Sequence, residues 1–204
     1  MYSMYKLEQL NQILFLRLNA RPHAEGVLPK FAALVADDLI YAIPLMLLVM
    51  WLWGGGHERS IALKALAVTL IALGVNQLLA ILWPHPRPFM MGLGHTFIAH
   101  ASDSSFPSDH ATVFAGIGLT FVLSGCRVAV GWGVLLLGLA VAWARIYLGV
   151  HFPLDMVGAV AVALSVYLAI TPLWHRFGAG LSFWVSGIYR TLLARPIAMG
   201  WIRR

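Results

Sequence analysis

The chain has few charged residues. Among its 204 residues Lys and Arg number 14 and Asp and Glu number 8, so charged residues make up only 11%, whereas about 25% is typical of soluble proteins. Hydrophobic residues make up 60%. A globule of this size cannot cover its surface with so few charges, which excludes a soluble or a disordered protein. We therefore expect an integral membrane protein.

Cysteine is also scarce, and repeats are absent. The single Cys126 excludes an intrachain disulfide and a metal site built from cysteines. The length fits one domain over residues 1–204. The net charge of +6 is better explained by cytoplasmic loops and an anionic ligand than by a nucleic-acid partner, which we do not expect.

Long apolar runs are the main feature of the sequence. A helix needs about 20 apolar residues to cross a bilayer. Five runs predict membrane-spanning helices over 34–53, 61–83, 107–124, 129–147 and 153–174. The amphipathic segment 6–20 predicts a helix at the membrane interface, and 181–201, which contains two arginines, predicts a second interfacial helix or a sixth span. The predicted fold class is an all-α integral membrane protein with a bundle of five or six transmembrane helices.

Basic residues are divided unequally between the two sides of the predicted bundle. After five crossings, the long segment 84–106 and the turn 145–152 fall on the same side. The opposite side holds eight basic residues: Arg59, Lys64, Arg127, Arg176, Arg190, Arg195, Arg203 and Arg204. The side of the long segment holds six: Lys6, Arg17, Arg21, Lys30, Arg87 and Arg145. If the last two serve a ligand, the positive-inside rule places the long segment outside the cytoplasm.

Three polar segments converge on that side. They are PHPRPF at 84–89, FPSDHA at 106–111 and ARIYLGVHFPLD at 144–155. Each places ionisable groups at a membrane boundary, where their desolvation has to be offset by partners or by function. These segments are therefore the candidates for the functional site.

The second segment has the pattern of an anion-binding helix start. Pro107 is expected to open a helix whose first turn contains Ser108, Asp109 and His110. The unpaired N–H groups of that turn and the helix dipole attract anions. The Ser108 hydroxyl can donate to a phosphate oxygen, and His110 can transfer a proton to or from an ester oxygen.

The third segment repeats this pattern around Pro153, which is expected at the first helical position. Asp155 then lies in the first turn and can hold His151 in one tautomer, which leaves the other ring nitrogen nucleophilic. Arg145 and Arg87 each offer a planar fork for phosphate. Together the segments predict phosphoryl transfer by positioning and by charge stabilisation.

These residues carry a resemblance that covers 87–155. The sequence is similar to the three-part signature of the type 2 phosphatidic acid phosphatase (PAP2) superfamily, through Arg87-Pro88, Pro107-Ser108-Asp109-His110 and Arg145-x5-His151-x3-Asp155.

The resemblance implies a role for each matching residue. His151 would be the nucleophile, Asp155 would orient it, and His110 would be general acid and then base. Arg87, Arg145 and Ser108 would bind phosphate, and we group Asp109 with them. The family works without a metal, and no cofactor is expected.

Three positions depart from the family pattern. Ala80 stands where a lysine is usual, Asp109 replaces a glycine, and Ala144 replaces a serine. Gln77, one helical turn before Ala80, is a candidate neutral donor in place of the missing lysine. The PSDH form, with GHTFIAHASDSSF before it, resembles the bacitracin-resistance branch.

That branch implies an undecaprenyl-diphosphate phosphatase of the bacterial inner membrane. Such an enzyme forms undecaprenyl phosphate and inorganic phosphate through a phosphohistidine, recycles the carrier lipid for cell-wall synthesis and confers bacitracin resistance. The expected partners are a polyprenyl diphosphate lipid and the bilayer, with the active site facing the periplasm or the cell exterior. The oligomeric state stays open.

Other interpretations also remain. The site would suit a phosphatase for phosphatidylglycerol phosphate, phosphatidate or a lipid A phosphate. A transporter would distribute its charges through the depth of the bilayer, and a haem protein would need histidines paired within helices. We assign His85, His95 and His100 to loop polarity, Asp103 to a turn, and Asp37 and Asp38 to helix capping or a water-filled vestibule, with proton transfer or substrate contact as the alternative.

Overall fold

A computed structural model describes residues 2–204, with side chains from residue 5 onward, and this part of the chain contains helices and turns but no strand. The helices are α1 (Tyr2–Leu18), α2 (Val27–Asp37), α3 (Ala42–Trp53), α4 (Gly56–Leu82), α5 (Asp109–Leu123), α6 (Val128–Tyr147), α7 (Pro153–Leu192) and α8 (Ala194–Ala198). Short 3-10 turns lie at Leu39–Tyr41 and Pro88–Met91. The predicted all-α fold class is confirmed.

Four helical segments are long and apolar enough to cross a membrane. They are Val27–Trp53, which combines α2 and α3, together with α4, α6 and α7. The fifth predicted span is the shorter apolar helix α5, whose 15 residues rise about 22 Å. α5 packs against α4, α6 and α7 at the centre of the bundle. The protein is therefore a multi-pass helical membrane protein.

The helix at the C-terminal end differs from the prediction. α7 continues without interruption for 40 residues, which corresponds to about 60 Å and twice the hydrocarbon thickness. Pro172 lies inside α7 and does not end it. A separate helix or sixth span over 181–201 is therefore wrong, because residues 181–192 are the end of α7 and only the five-residue α8 follows.

Two helix starts also differ. The first span begins at Val27 rather than at 34 and is interrupted after Asp37. Pro107 does not open α5: the helix begins at Asp109, and Ser108 is its N-cap, with a hydroxyl that accepts from the Ala111 N–H at 3.5 Å. Serine stabilises a helix best at this position, so the start moves two residues downstream. Pro153 does occupy the first position of α7, as predicted.

Small residues let the central helices approach closely. A Cβ added at Gly138 of α6 would lie 2.7 Å from Cβ of Phe114, and one added at Gly118 of α5 would lie 2.7 Å from the Leu135 side chain. Small residues at helix contacts are typical of membrane bundles. This packing holds α5 and α6 together below the polar segments.

Lys64 lies inside the bundle rather than in a loop. Its side chain is buried in α4, and its amine lies 4.3 Å from the centre of the Tyr167 ring. It therefore drops out of the comparison of loop charges. Arg59 of α4 is buried as well, and without these two the side opposite the long segment still holds the larger number of basic residues, six against four.

Candidate active site

The three polar segments meet around one cavity of about 170 Å3. Among the side chains that line it are Arg87, His100, Asp109, His110, Arg145 and His151. The structure thus brings together the residues that the sequence separates by up to 64 positions. Ser108 and Asp155 lie behind the cavity wall, where both are buried.

His151 and Asp155 form a buried pair at the start of α7. Nδ1 of His151 lies 3.1 Å from Oδ2 of Asp155. The same carboxylate oxygen accepts from the Ser105 hydroxyl at 2.5 Å and from the Phe152 N–H at 2.7 Å. Asp155 therefore caps its own helix and holds the imidazole with one oxygen.

Arg87 fixes the tautomer of His151. Its Nη1 lies 3.0 Å from Nε2 of His151. Because a guanidinium can only donate, Nε2 carries the lone pair and Nδ1 carries the proton that faces Asp155. Burial, followed by the positive charges of Arg87 and Arg145, lowers the pKa of His151 well below its usual value. The ring is a neutral imidazole that lines the cavity and carries its lone pair on Nε2.

The remaining donors of Arg87 are occupied by the loop. Nη1 also donates to the Val150 carbonyl at 2.9 Å, Nη2 donates to the Ser104 carbonyl at 3.2 Å, and Nε donates to Asp103 at 2.8 Å. The predicted turn residue Asp103 is thus an ion-pair partner of a site arginine. The guanidinium is held in one plane beside His151.

Arg145 keeps part of its guanidinium free. Its Nη1 donates to the Ala36 carbonyl at 3.1 Å and lies 3.3 Å from Oδ1 of Asp37. Within residues 2–204 its buried Nε has no hydrogen-bond partner. Arg145 can therefore offer donors to an anion in the cavity, while Asp37 at the break in the first span holds it in place.

Asp109 is bonded to α4 through both of its oxygens. Asn76 donates to Oδ1 at 2.8 Å, and Gln77 donates to Oδ2 at 3.1 Å. The amide of Gln77, our candidate substitute for the missing lysine, thus donates its hydrogen bond to Asp109. The Ser108 hydroxyl faces its own helix as the N-cap, so phosphate binding by Ser108 or Asp109 stays a prediction.

His110 and His100 contribute two further rings to the cavity. Neither the backbone nor the side chains of the described part of the chain hydrogen-bond to the His110 ring. His100 has its ring centre 6.1 Å from that of His151, and burial and the charge of Arg87 lower the pKa of His100. His100 thus belongs to the site, although loop polarity was our interpretation of it. Among residues 2–204 no three His, Cys, Asp or Glu side chains form a group that would hold a metal ion.

Several site residues were not found by sequence reasoning. Ser105 carries no local signal, since its contact with Asp155 spans 50 positions. The sequence singles out Asp37 but does not indicate its partner Arg145, which lies 108 positions away. Asn76 did carry one, because a buried amide within a membrane helix is costly without a partner. Its amide nitrogen also lies 2.9 Å from the Thr112 hydroxyl of α5.

The three polar segments also lie within the part of the chain that is similar to known proteins. The profile of the PAP2 superfamily matches residues 61–179. The chain belongs to the PAP2 superfamily. All three segments with the PAP2 signature lie inside the match, whereas α1 to α3 lie before it. No solved structure matches the chain.

Three relatives cover most of the chain. One is a protein of Escherichia coli (strain K12) named "Putative undecaprenyl-diphosphatase YbjG", which is 38% identical over 97% of this chain and 99% of its own length. Undecaprenyl-diphosphatase BcrC of Bacillus subtilis (strain 168) is 32% identical over 77% of this chain and 80% of its own. The bacitracin transport permease protein BcrC of Bacillus licheniformis is 30% identical over 81% and 80%. The chain thus groups with the bacitracin-resistance branch of PAP2 phosphatases.

Proposed function

We propose that this PAP2 phosphatase hydrolyses undecaprenyl diphosphate to undecaprenyl phosphate and inorganic phosphate. The observation that carries the proposal is a neutral His151 whose Nδ1 faces Asp155, whose Nε2 carries the lone pair, and which lines one cavity together with two arginines. Two relatives with names for this activity support the choice of lipid. In the cell the reaction would recycle the carrier lipid for cell-wall synthesis and confer bacitracin resistance.

The first step is attack of His151 Nε2 on the terminal phosphorus. The bond from phosphorus to the bridging oxygen breaks, and a phosphohistidine forms. The leaving undecaprenyl phosphate takes a proton from His110. Asp155 holds the Nδ1 proton throughout, and Arg87 and Arg145 stabilise the charge on the phosphoryl oxygens.

The second step returns the enzyme to its starting state. His110, now neutral, accepts a proton from a water molecule that attacks the phosphohistidine. The N–P bond breaks, inorganic phosphate leaves, and His110 is again protonated. The net reaction consumes one water.

The proposed location is the inner membrane of a bacterium, with the cavity facing the periplasm or the cell exterior. The unequal distribution of loop charges supports this orientation. The exposed apolar side chains near the cavity, such as Leu78, Ile81 and Leu82 of α4, would contact lipid. The diphosphate would then reach the cavity while the polyprenyl chain stays among the helices.

Phosphate release from the purified protein in detergent tests the proposal. Undecaprenyl diphosphate is compared with phosphatidate and phosphatidylglycerol phosphate, with His151→Ala as the control and with EDTA in a parallel series. We expect the highest kcat/KM on the diphosphate, no effect of EDTA and no release by the variant. Preference for either glycerolipid would contradict the choice of substrate and favour a phosphatase for other lipids.

Transport is the second candidate because one relative is named as a bacitracin transport permease protein. The position of the cavity residues favours hydrolysis, since two arginines and three histidines, Arg87, Arg145, His100, His110 and His151, gather around one cavity. Absence of phosphate release from all three lipids, with binding of bacitracin by the purified protein, would favour transport.

A further inference from the structure

Helix α1 forms the rear wall of the active site. Oδ1 of Asn11 accepts from the Leu154 N–H at 3.0 Å, next to Asp155. The Phe15 ring meets the Phe152 ring edge-on, with centres 5.3 Å apart. Both contacts flank the segment that carries His151. α1 lies outside the part of the chain that matches the PAP2 profile, and the sequence predicts only an interfacial helix there.

A second cavity of about 300 Å3 separates α1 from the site. Its walls are mainly apolar, with Trp83, Phe106 and Leu7 among them. Its polar groups come from Glu8 and Asn11 on α1, His85 after α4 and Asp155 on α7. This rear cavity touches Asp155, whereas the phosphate cavity touches His151. The two cavities therefore lie on either side of the catalytic pair.

Two buried polar atoms at the rear cavity have no partner. Within residues 2–204, neither Nδ1 of His85 nor Oδ1 of Asp155 makes a hydrogen bond. The other oxygen of Asp155 accepts from three groups. A buried carboxylate oxygen without a donor is costly, and more so when the group must stay ionised. Both residues line the same cavity, which is large enough for water.

The His85 ring is held in a defined orientation. Nε2 lies 3.6 Å from Oε2 of Glu8, and the ring meets the Phe152 ring edge-on with centres 5.8 Å apart. The neighbouring carboxylate favours a proton on Nε2, which leaves the lone pair on Nδ1. A water molecule has two hydrogens, so it can donate one to His85 Nδ1 and the other to Asp155 Oδ1.

We propose that His85, held by Glu8, is a positioning residue that fixes Asp155 through water in the rear cavity. The inference rests on the proposed function, since it concerns the orientation of the nucleophile in that reaction. Asp155 gains a fourth donor, and its carboxylate plane is fixed from both oxygens. Outer partners of this kind orient metal-ligating histidines and carboxylates in metal sites. α1 thereby becomes part of the catalytic apparatus.

His85→Phe tests this arrangement because it keeps an aromatic ring against Phe152 and removes both nitrogens. We expect kcat to fall about tenfold or more, as for loss of a hydrogen bond to a charged group. KM should stay unchanged, because His85 does not reach the phosphate cavity. Glu8→Gln should give a smaller loss in the same direction. His95→Phe, at an exposed histidine of the outer loop, and Leu10→Ala, on the exposed face of α1, are the controls and should match the wild type.

Chemical rescue separates positioning from packing. In His85→Ala, added imidazole should restore kcat, because the rear cavity adjoins the vacated position. A wild-type kcat in His85→Phe, a raised KM with unchanged kcat, or no rescue of His85→Ala would each overturn the proposal. An activated aryl phosphate is measured alongside the lipid. If the wild type does not hydrolyse undecaprenyl diphosphate, only the choice of lipid is refuted. The effect of the His85 variants on the aryl phosphate would still test the positioning role.

Discussion

Arg87 and His151 are in direct contact, with Nη1 of the guanidinium 3.0 Å from Nε2 of the imidazole. In the proposed mechanism Nε2 is the atom that attacks phosphorus. A phosphoryl group that reaches it has to enter between the two side chains, so the guanidinium must leave the nitrogen and follow a phosphate oxygen. The same contact keeps the resting imidazole unprotonated at Nε2. In the proposed mechanism Arg87 would therefore first hold His151 and then bind the phosphate.

Lysine should not be able to take over the phosphate contacts of Arg87 or Arg145. In Arg87→Lys and Arg145→Lys the charge remains, but an ammonium cannot contact two phosphate oxygens with a planar fork. We expect kcat/KM to fall at least about tenfold in each variant. Arg127→Lys is the matched control, because that arginine pairs with Glu58 outside the site. Near-normal turnover in either site variant would mean that the arginine serves as an anchor.

Ser105 should contribute to kcat although it lies outside the three sequence motifs. Its buried hydroxyl donates to Asp155 at 2.5 Å, and a hydrogen bond to a charged group contributes about 1.5–3 kcal/mol. Ser105→Ala should therefore lower kcat about tenfold or more. Ser182→Ala, which removes a hydroxyl bonded to Ser60 on α4, is the control. Equal kcat values in the two variants would show that Ser105 does not contribute to the reaction.

The orientation of the cavity can be read by thiol labelling. In a Cys126→Ser background, Ala101→Cys places a thiol at an exposed position of the segment 92–104, and His57→Cys places one at the opposite end of the bundle. A membrane-impermeant reagent should label the first in intact cells and the second only after permeabilisation. The reverse pattern would place the cavity in the cytoplasm.

Stability should fall in acid because of two histidines. Burial and nearby arginines lower the pKa values of His151 and His100 in the folded protein, whereas an unfolded chain titrates near about 6.5. Below that pH the unfolded state binds more protons, so the free energy of unfolding decreases as the pH falls. The thermal unfolding temperature in detergent should drop between about pH 7.5 and about pH 5. His151→Gln and His100→Gln should each make the drop smaller, and an unchanged slope in both would contradict this.

The sequence predicts the site residues that are energetically costly at a membrane boundary. Arg87, His110, Arg145 and His151 stand out because charge and imidazole are costly there, and the structure places all four around one cavity. Helix starts are less predictable, as Pro107 demonstrates, because a serine cap one residue later competes with a proline start.

The supporting residues cannot be predicted from the sequence. Asp37 holds Arg145 across 108 positions, and Asn11 holds the start of α7 across 143 positions. Such contacts depend on how the helices pack, and this packing cannot be predicted from the patterns of a single sequence. The length of α7 was missed for a similar reason, because neither Pro172 nor the arginines in 181–201 end a helix that neighbouring segments support.

The division of labour between His151 and His110 is the central claim, and rapid mixing with an activated aryl phosphate tests it most directly. Such a leaving group hardly needs a proton, so His110→Ala should complete the first step and then stall. We expect one equivalent of phenolate per active site, with radiolabelled phosphate held as an acid-labile phosphoprotein. His151→Ala should give no burst with any substrate. A burst that survives in His151→Ala would contradict the assignment of the nucleophile and favour direct attack by water.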